Sequence, residues 1–170
     1  MTTVHSTSTQ SSKQSTTTPD ALALLKSDHR AVADLFEDYD KARKVERKQA
    51  LVARICEELT IHAELEEKAF YPPVQQALPE NERDLVAEAR VEHESLKWLI
   101  AQIQKESPDS ELFEAKVTVL HEYVDHHVKE EEKQMFPKVR KTDLDLDELG
   151  AVLARTKAQL TAKVQKTPAH

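Results

Sequence analysis

The chain has 170 residues, a formal net charge of −7 and 32% charged side chains, which suits one domain with a core of ordinary size. The acidic balance argues against non-specific nucleic-acid binding. The sequence has neither an apolar run near the ~20 residues of a membrane span nor an apolar signal segment, and its lone Cys56 cannot form an intrachain disulfide. We therefore expect a soluble, cytoplasmic protein without nucleic-acid or membrane partners.

The predicted elements are helices from end to end. Residues 1–18 carry Ser or Thr at twelve positions and predict a disordered tail. Thr18-Pro19 then indicates a helix start, with Thr18 as the N-cap. Apolar stripes at helical spacing predict four long helices and a weaker fifth, and the approximate ranges are 20–42, 45–71, 80–106, 109–136 and 143–165.

Short connections between such helices imply an all-α fold, an antiparallel up-down-up-down four-helix bundle. Pro72-Pro73 should kink or end the second helix. The fifth helix is expected to pack across or along the bundle. The predicted organisation is a tail at 1–18, the bundle at 19–141, and a C-terminal helix and tail at 142–170.

One pattern occurs twice in the chain. His62-x3-Glu66 and His127-x3-Glu131 are separated by a constant offset, since 127 − 62 = 65 and 131 − 66 = 65. At that spacing a His and a Glu lie on one helical face, one turn apart. Each copy is followed by an aromatic-proline pair at the same offset, Tyr71-Pro72 and Phe136-Pro137.

Two further histidines repeat at nearly the same distance, because His93 follows His29 by 93 − 29 = 64 positions. All six residues fall on the apolar stripes and should face the core. Burying ionised carboxylates and unsatisfied imidazoles costs several kcal/mol, and a bound cation would compensate them. The six candidate metal ligands are His29, His62, Glu66, His93, His127 and Glu131.

The donor set limits the metal. Carboxylates and imidazoles without a thiolate cluster suit iron or manganese, with zinc as an alternative. Two carboxylates from different helices can bridge two ions, which favours a dinuclear centre. His126 and Glu130 also stand four apart, but only His127 matches His62 at the 65-residue offset. We therefore expect His126 at the boundary between two helices or beside the ligands.

These motifs, in this order and with their trailing aromatic-proline pairs, resemble the H-HxxxE-H-HxxxE signature of hemerythrin-like proteins, the HHE cation-binding family. The resemblance covers about residues 20–140 and implies a four-helix bundle with two irons, bridged by carboxylates and an oxo or hydroxo group. It implies that His29 and His62 hold one iron, that His93 and His127 hold the other, and that Glu66 and Glu131 bridge.

The chain departs from the oxygen-carrying members of that family. They have a second histidine where this chain has Lys97, and their last helix carries His-x4-Asp instead of His127-x3-Glu131. One iron should therefore have an additional open position. Lys97 could pair with an anionic bound species or extend to solvent.

The leading hypothesis is a di-iron protein that binds or senses O2, NO or peroxide, or that buffers iron. The alternatives are a slow enzyme that decomposes peroxide or handles nitric oxide, and a metal-free bundle whose His and Glu pair with one another. Glu94, Lys97 or His126 could supply acid-base chemistry, but the sequence names no catalytic residue and no protein partner.

Overall fold

The structure, a computed structural model, describes residues 18–166, where all regular elements are helical. The predicted disordered tail therefore lies outside the described residues, except for Thr18. The all-α prediction is confirmed, with helices α1, α2, α4 and α5 as the four long members of the bundle. The helices are α1 Ala21–Lys41, α2 Val45–Leu65, α3 Tyr71–Ala77, α4 Asp84–Lys105, α5 Glu111–Glu130, α6 Phe136–Val139 and α7 Leu146–Lys166.

The first helix begins two residues later than predicted. Asp20, not Thr18, is its N-cap, and its carboxylate accepts a hydrogen bond from the Ala23 backbone N–H at 2.8 Å. A carboxylate in this position satisfies a free N–H and also complements the positive end of the helix dipole. The proline therefore precedes the cap.

The predicted apolar stripes of the four long helices are buried. They form two apolar clusters, one around Leu22, Phe70 and Phe136 and one around Phe36 and Ile55. Helix α1 packs against α2, and α4 packs against α5. The predicted polar residues lie between the two clusters, so the apolar core holds them from both sides.

The ends of the second and fourth long helices differ from the prediction. Each helix widens into a π-helical turn, Glu66–Phe70 after α2 and Glu131–Met135 after α5, and then continues as a short helix. The prolines explain this, because their missing N–H groups prevent ordinary helical hydrogen bonds. The backbone N–H of Tyr71 instead bonds to the Glu66 carbonyl, five residues earlier. Each turn begins at one of the two candidate glutamates.

The fifth predicted helix corresponds to α7, which packs against α1 and α2. Asp145 caps it by accepting hydrogen bonds from two backbone N–H groups. Gly150 allows α7 to approach the start of α1 closely: a Cβ at this position would lie 2.4 Å from the Pro19 carbonyl oxygen. Over the described range, the helices lack the combination of length and apolar character that crossing a membrane requires.

Candidate metal centre

The structure brings the six predicted residues together in the middle of the bundle. All six are buried, and Glu66 and Glu131 are at most 1% exposed. Their donor atoms form two overlapping groups in which all atoms lie within 4.8 Å of one another. These groups are His29, His62, Glu66 and Glu131, and then Glu66, His93 and His127.

The four imidazoles form two pairs, and within each pair the two Nε2 atoms face each other. The Nε2 atoms of His29 and His62 are 3.2 Å apart, and those of His93 and His127 are 3.1 Å apart. Two nitrogen ligands about 2.1 Å from one ion and about 100° apart would be separated by about 3.2 Å. Each pair therefore has the separation expected of two ligands on one ion.

The outer nitrogens of all four rings contact carboxylates, which sequence reasoning missed. Such contacts fix the tautomer that leaves Nε2 free to bind a cation. The Nδ1-to-oxygen distances are 2.8 Å from His29 to Glu132, 3.5 Å from His62 to Asp28, 3.1 Å from His93 to Glu67 and 2.7 Å from His127 to Glu92. Each of these carboxylates is next to a candidate ligand in the sequence, but it contacts a histidine on another helix.

The two buried glutamates lie between the histidine pairs. Each approaches one histidine of both pairs. The distances to Nε2 are 3.3 Å from Glu66 to His62 and to His93, 3.3 Å from Glu131 to His29 and 3.6 Å from Glu131 to His127. Both carboxylates are thus placed to be shared by two ions.

One oxygen of each glutamate is left without a hydrogen bond. Within the described range, Oε1 of Glu66 and Oε2 of Glu131 are buried side-chain atoms that have no hydrogen-bond partner. Burial would raise the pKa of Glu66, but His62 and His93 hold it well below its usual value. Buried carboxylate oxygens that lack a hydrogen bond and lie beside imidazole nitrogens fit a bound cation.

His62 and His127 carry protons when no cation is bound. Burial by itself would lower the pKa of His62, but Glu66 and Asp28 raise it to about 10. The pKa of His127 rises to about 9, because Glu131 outweighs the opposing effect of burial. One ring of each pair is therefore protonated at neutral pH, and a metal ion would replace that proton.

Tyr71 is a member of the centre that sequence reasoning did not assign. Its hydroxyl donates to Glu131 at 2.8 Å, and its oxygen also lies 3.2 Å from Glu66 and 3.3 Å from Nε2 of His93. Burial and the two carboxylates raise the pKa of this phenol well above its ordinary value. Its repeat counterpart, Phe136, has no hydroxyl and lies parallel to the His29 ring at 6.0 Å. The available signal was that this position is Tyr in one copy and Phe in the other.

An apolar cavity of about 20 Å³ adjoins all four histidines. Its walls include Val32, Leu59, Leu96 and Val124. A space of this size holds roughly one water-sized molecule. Neither the two glutamates nor Tyr71 lines this cavity, and Tyr71 belongs to the apolar cluster that contains Phe70 and Phe136.

The other polar residues singled out from the sequence lie farther out. Lys97 binds the Glu67 carboxylate at 2.6 and 2.7 Å, and its side chain is 37% exposed. Glu94 is exposed. The His126 side chain is 64% exposed and lies 3.4 Å from Glu92. The His121 side chain is partly covered, and its ring stacks on Phe36 at 4.1 Å.

Comparison with known proteins identifies a family for this arrangement. Residues 20–139 match the model of the hemerythrin HHE cation-binding domain. A solved structure of a hemerythrin HHE cation-binding domain-containing protein from Mycobacterium kansasii superposes with a TM-score of 0.75 at 25% identity, covering 86% of this chain and 90% of that one.

A curated relative, named DNA nickase, from Nostoc sp. (strain PCC 7120 / SAG 25.82 / UTEX 2576), is 32% identical over 117 residues. That match covers 69% of this chain but 32% of the relative. The chain thus corresponds to about a third of that protein's length.

Proposed function

Because this chain belongs to the hemerythrin HHE cation-binding domain family, we propose that its centre holds two iron ions and binds a small ligand such as O2, NO or peroxide. His29 and His62 would hold one ion and His93 and His127 the other. Glu66 and Glu131 would be shared by both. Iron would supply reversible redox chemistry and open coordination positions, with manganese or zinc as alternatives.

The observation that carries this proposal is the convergence of buried donor atoms in two groups. Four Nε2 atoms converge in two close pairs, and two buried carboxylate oxygens lack hydrogen bonds among residues 18–166. Buried polar groups in stable proteins are almost always paired. A cation in each group would pair all of them at once.

The cavity limits the ligand to very small molecules. Its volume of about 20 Å³ accepts a diatomic molecule or peroxide but excludes an organic substrate. Apart from the four histidines and Asp28, the side chains that line it are apolar. Buffering of iron remains compatible with the same centre.

The first test is metal analysis and an ultraviolet-visible spectrum of the protein purified aerobically from iron-supplemented cells. We expect about two irons per chain and charge-transfer absorption that changes on addition of peroxide or nitric oxide. One metal per chain would contradict the dinuclear centre. A stable chain without metal would instead favour the structural bundle, in which the His-Glu pairs suffice.

A second candidate function is slow turnover of peroxide or nitric oxide. Tyr71 favours it, because its buried O–H lies against both shared carboxylates and could move a proton at their oxygens. Comparison of peroxide consumption by the iron-loaded protein and by Tyr71→Phe tests this candidate. Equal rates, or no consumption by either, would leave binding as the function.

A further inference from the structure

A second cluster of ligand-type side chains lies outside the buried centre, on the surface of α4 and α5. Nε2 of His126 is 3.4 Å from Oε1 of Glu92 and 3.7 Å from Oε1 of Glu130. One donor atom from each residue lies within 4.8 Å of the others. His126 and Glu130 share the i, i+4 spacing of the buried His-Glu pairs, turned toward solvent.

In the first half of the chain, a lysine ammonium lies beside the carboxylate that corresponds to Glu92 in the repeat. Asp28 is the counterpart of Glu92, since 92 − 28 = 64. One oxygen of Asp28 contacts Nδ1 of His62, and the other binds the ammonium of Lys157 at 2.5 Å. The lysine comes from α7, which covers the groove between α1 and α2.

In the second half, Glu92 divides its oxygens in the same way. Oε2 contacts Nδ1 of His127 at 2.7 Å, and Oε1 faces His126. The groove between α4 and α5 is open here, because Val91 and Tyr123 on its edge are 61% and 49% exposed. An open space of about 470 Å³ is lined by Glu92, His126 and Glu130 together, enough for an ion with the water molecules that complete its coordination.

We propose that Glu92, His126 and Glu130 form a second, solvent-facing site for a divalent cation such as zinc. The ion would occupy the place that the Lys157 ammonium takes in the first half. Two carboxylates and one imidazole suit zinc and related first-row ions, and water would fill the remaining positions. The ion would bind one oxygen of Glu92, and the other oxygen contacts Nδ1 of His127. The ion would therefore influence the contact that orients His127.

The test is equilibrium dialysis of the full chain against zinc, with the wild type and three variants. His126→Ala should bind one ion fewer than the wild type. Glu130→Gln should lower the affinity for that same ion by about tenfold or more. Asp125→Asn is the matched control, because it removes one negative charge from an exposed position on the same helix and should leave zinc binding unchanged.

A second measurement locates the ion. Zinc should shift the imidazole NMR signals of His126 in the wild type and in Asp125→Asn. The proposal is overturned if His126→Ala binds as many ions as the wild type, or if Asp125→Asn weakens binding as much as Glu130→Gln. The ions of the buried centre should bind more tightly, and all three variants should retain them. If a variant lost only these tightly bound ions, the result would count against the buried centre and not against the surface site.

Discussion

Glu66→Gln tests the role of the buried carboxylate most directly. The change keeps the shape of the side chain but removes a charge that is 0% exposed and lies 3.3 Å from both His62 and His93. In the metal-free chain it leaves a protonated imidazole buried beside a neutral amide. Breaking a buried ion pair in this way costs about 3–5 kcal/mol, a large part of the roughly 5–15 kcal/mol that stabilises a domain.

Glu64→Gln is the matched control. Glu64 pairs with Lys68 at 2.5 Å on the same helix, but its side chain is 33% exposed. An exposed pair contributes about 0–1 kcal/mol. Comparison of the two Glu→Gln variants therefore separates the effect of burial on stability from the effect of the lost charge.

Urea denaturation of the metal-free variants measures both free energies of unfolding, and metal analysis measures how many ions each variant keeps. We expect Glu66→Gln to lose at least about 2 kcal/mol more than Glu64→Gln and also to lose metal. Equal losses of stability, or full metal content in Glu66→Gln, would refute the role of the shared carboxylate.

Three further changes test other parts of the structure. Tyr71→Phe should retain metal but lower the free energy of unfolding by about 1–3 kcal/mol, because a buried carboxylate loses its O–H donor; an unchanged urea midpoint would contradict this. Folding raises the pKa of His62 and His127 to about 10 and about 9 from 6.5. Their stabilisation is therefore complete below about pH 6.5 and is lost as the pH rises through 9 to 10. The metal-free chain should accordingly unfold at lower urea concentration at pH 10 than at pH 7, and no decrease would refute the assignment. Gly150→Ala should destabilise by roughly 1–3 kcal/mol, because its Cβ would meet the Pro19 carbonyl at 2.4 Å; stabilisation by about 1 kcal/mol, the ordinary helix preference for alanine, would contradict the close approach.

The four long helices and the inward position of the six candidate residues followed from the sequence. The reason is that both depend on spacing within one helix. Apolar residues repeating every three or four positions define a buried face, and a His and a Glu four apart must share that face. The choice of His127 over His126 followed in the same way, and the structure buries His127 and leaves His126 exposed.

Contacts between helices could not be obtained from spacing. Glu67 looked like part of a solvated acidic run, yet it binds both Lys97 and His93 on another helix. Tyr71 was noted only as part of an aromatic-proline pair, and the packing of the helices brings its hydroxyl to Glu131, 60 positions away. Such contacts depend on how each helix is rotated and how far it is shifted along its neighbour.

The sequence by itself therefore determined which side chains face the middle of the bundle, because helical periodicity is a local property. Only the tertiary structure decided which of them meet: the pairing of the imidazoles, the carboxylates behind them, the apolar cavity beside them, and the cover that α7 gives to one groove but not to the groove containing His126. These features arise where separate helices pack, and packing is settled by the shapes of all the side chains together.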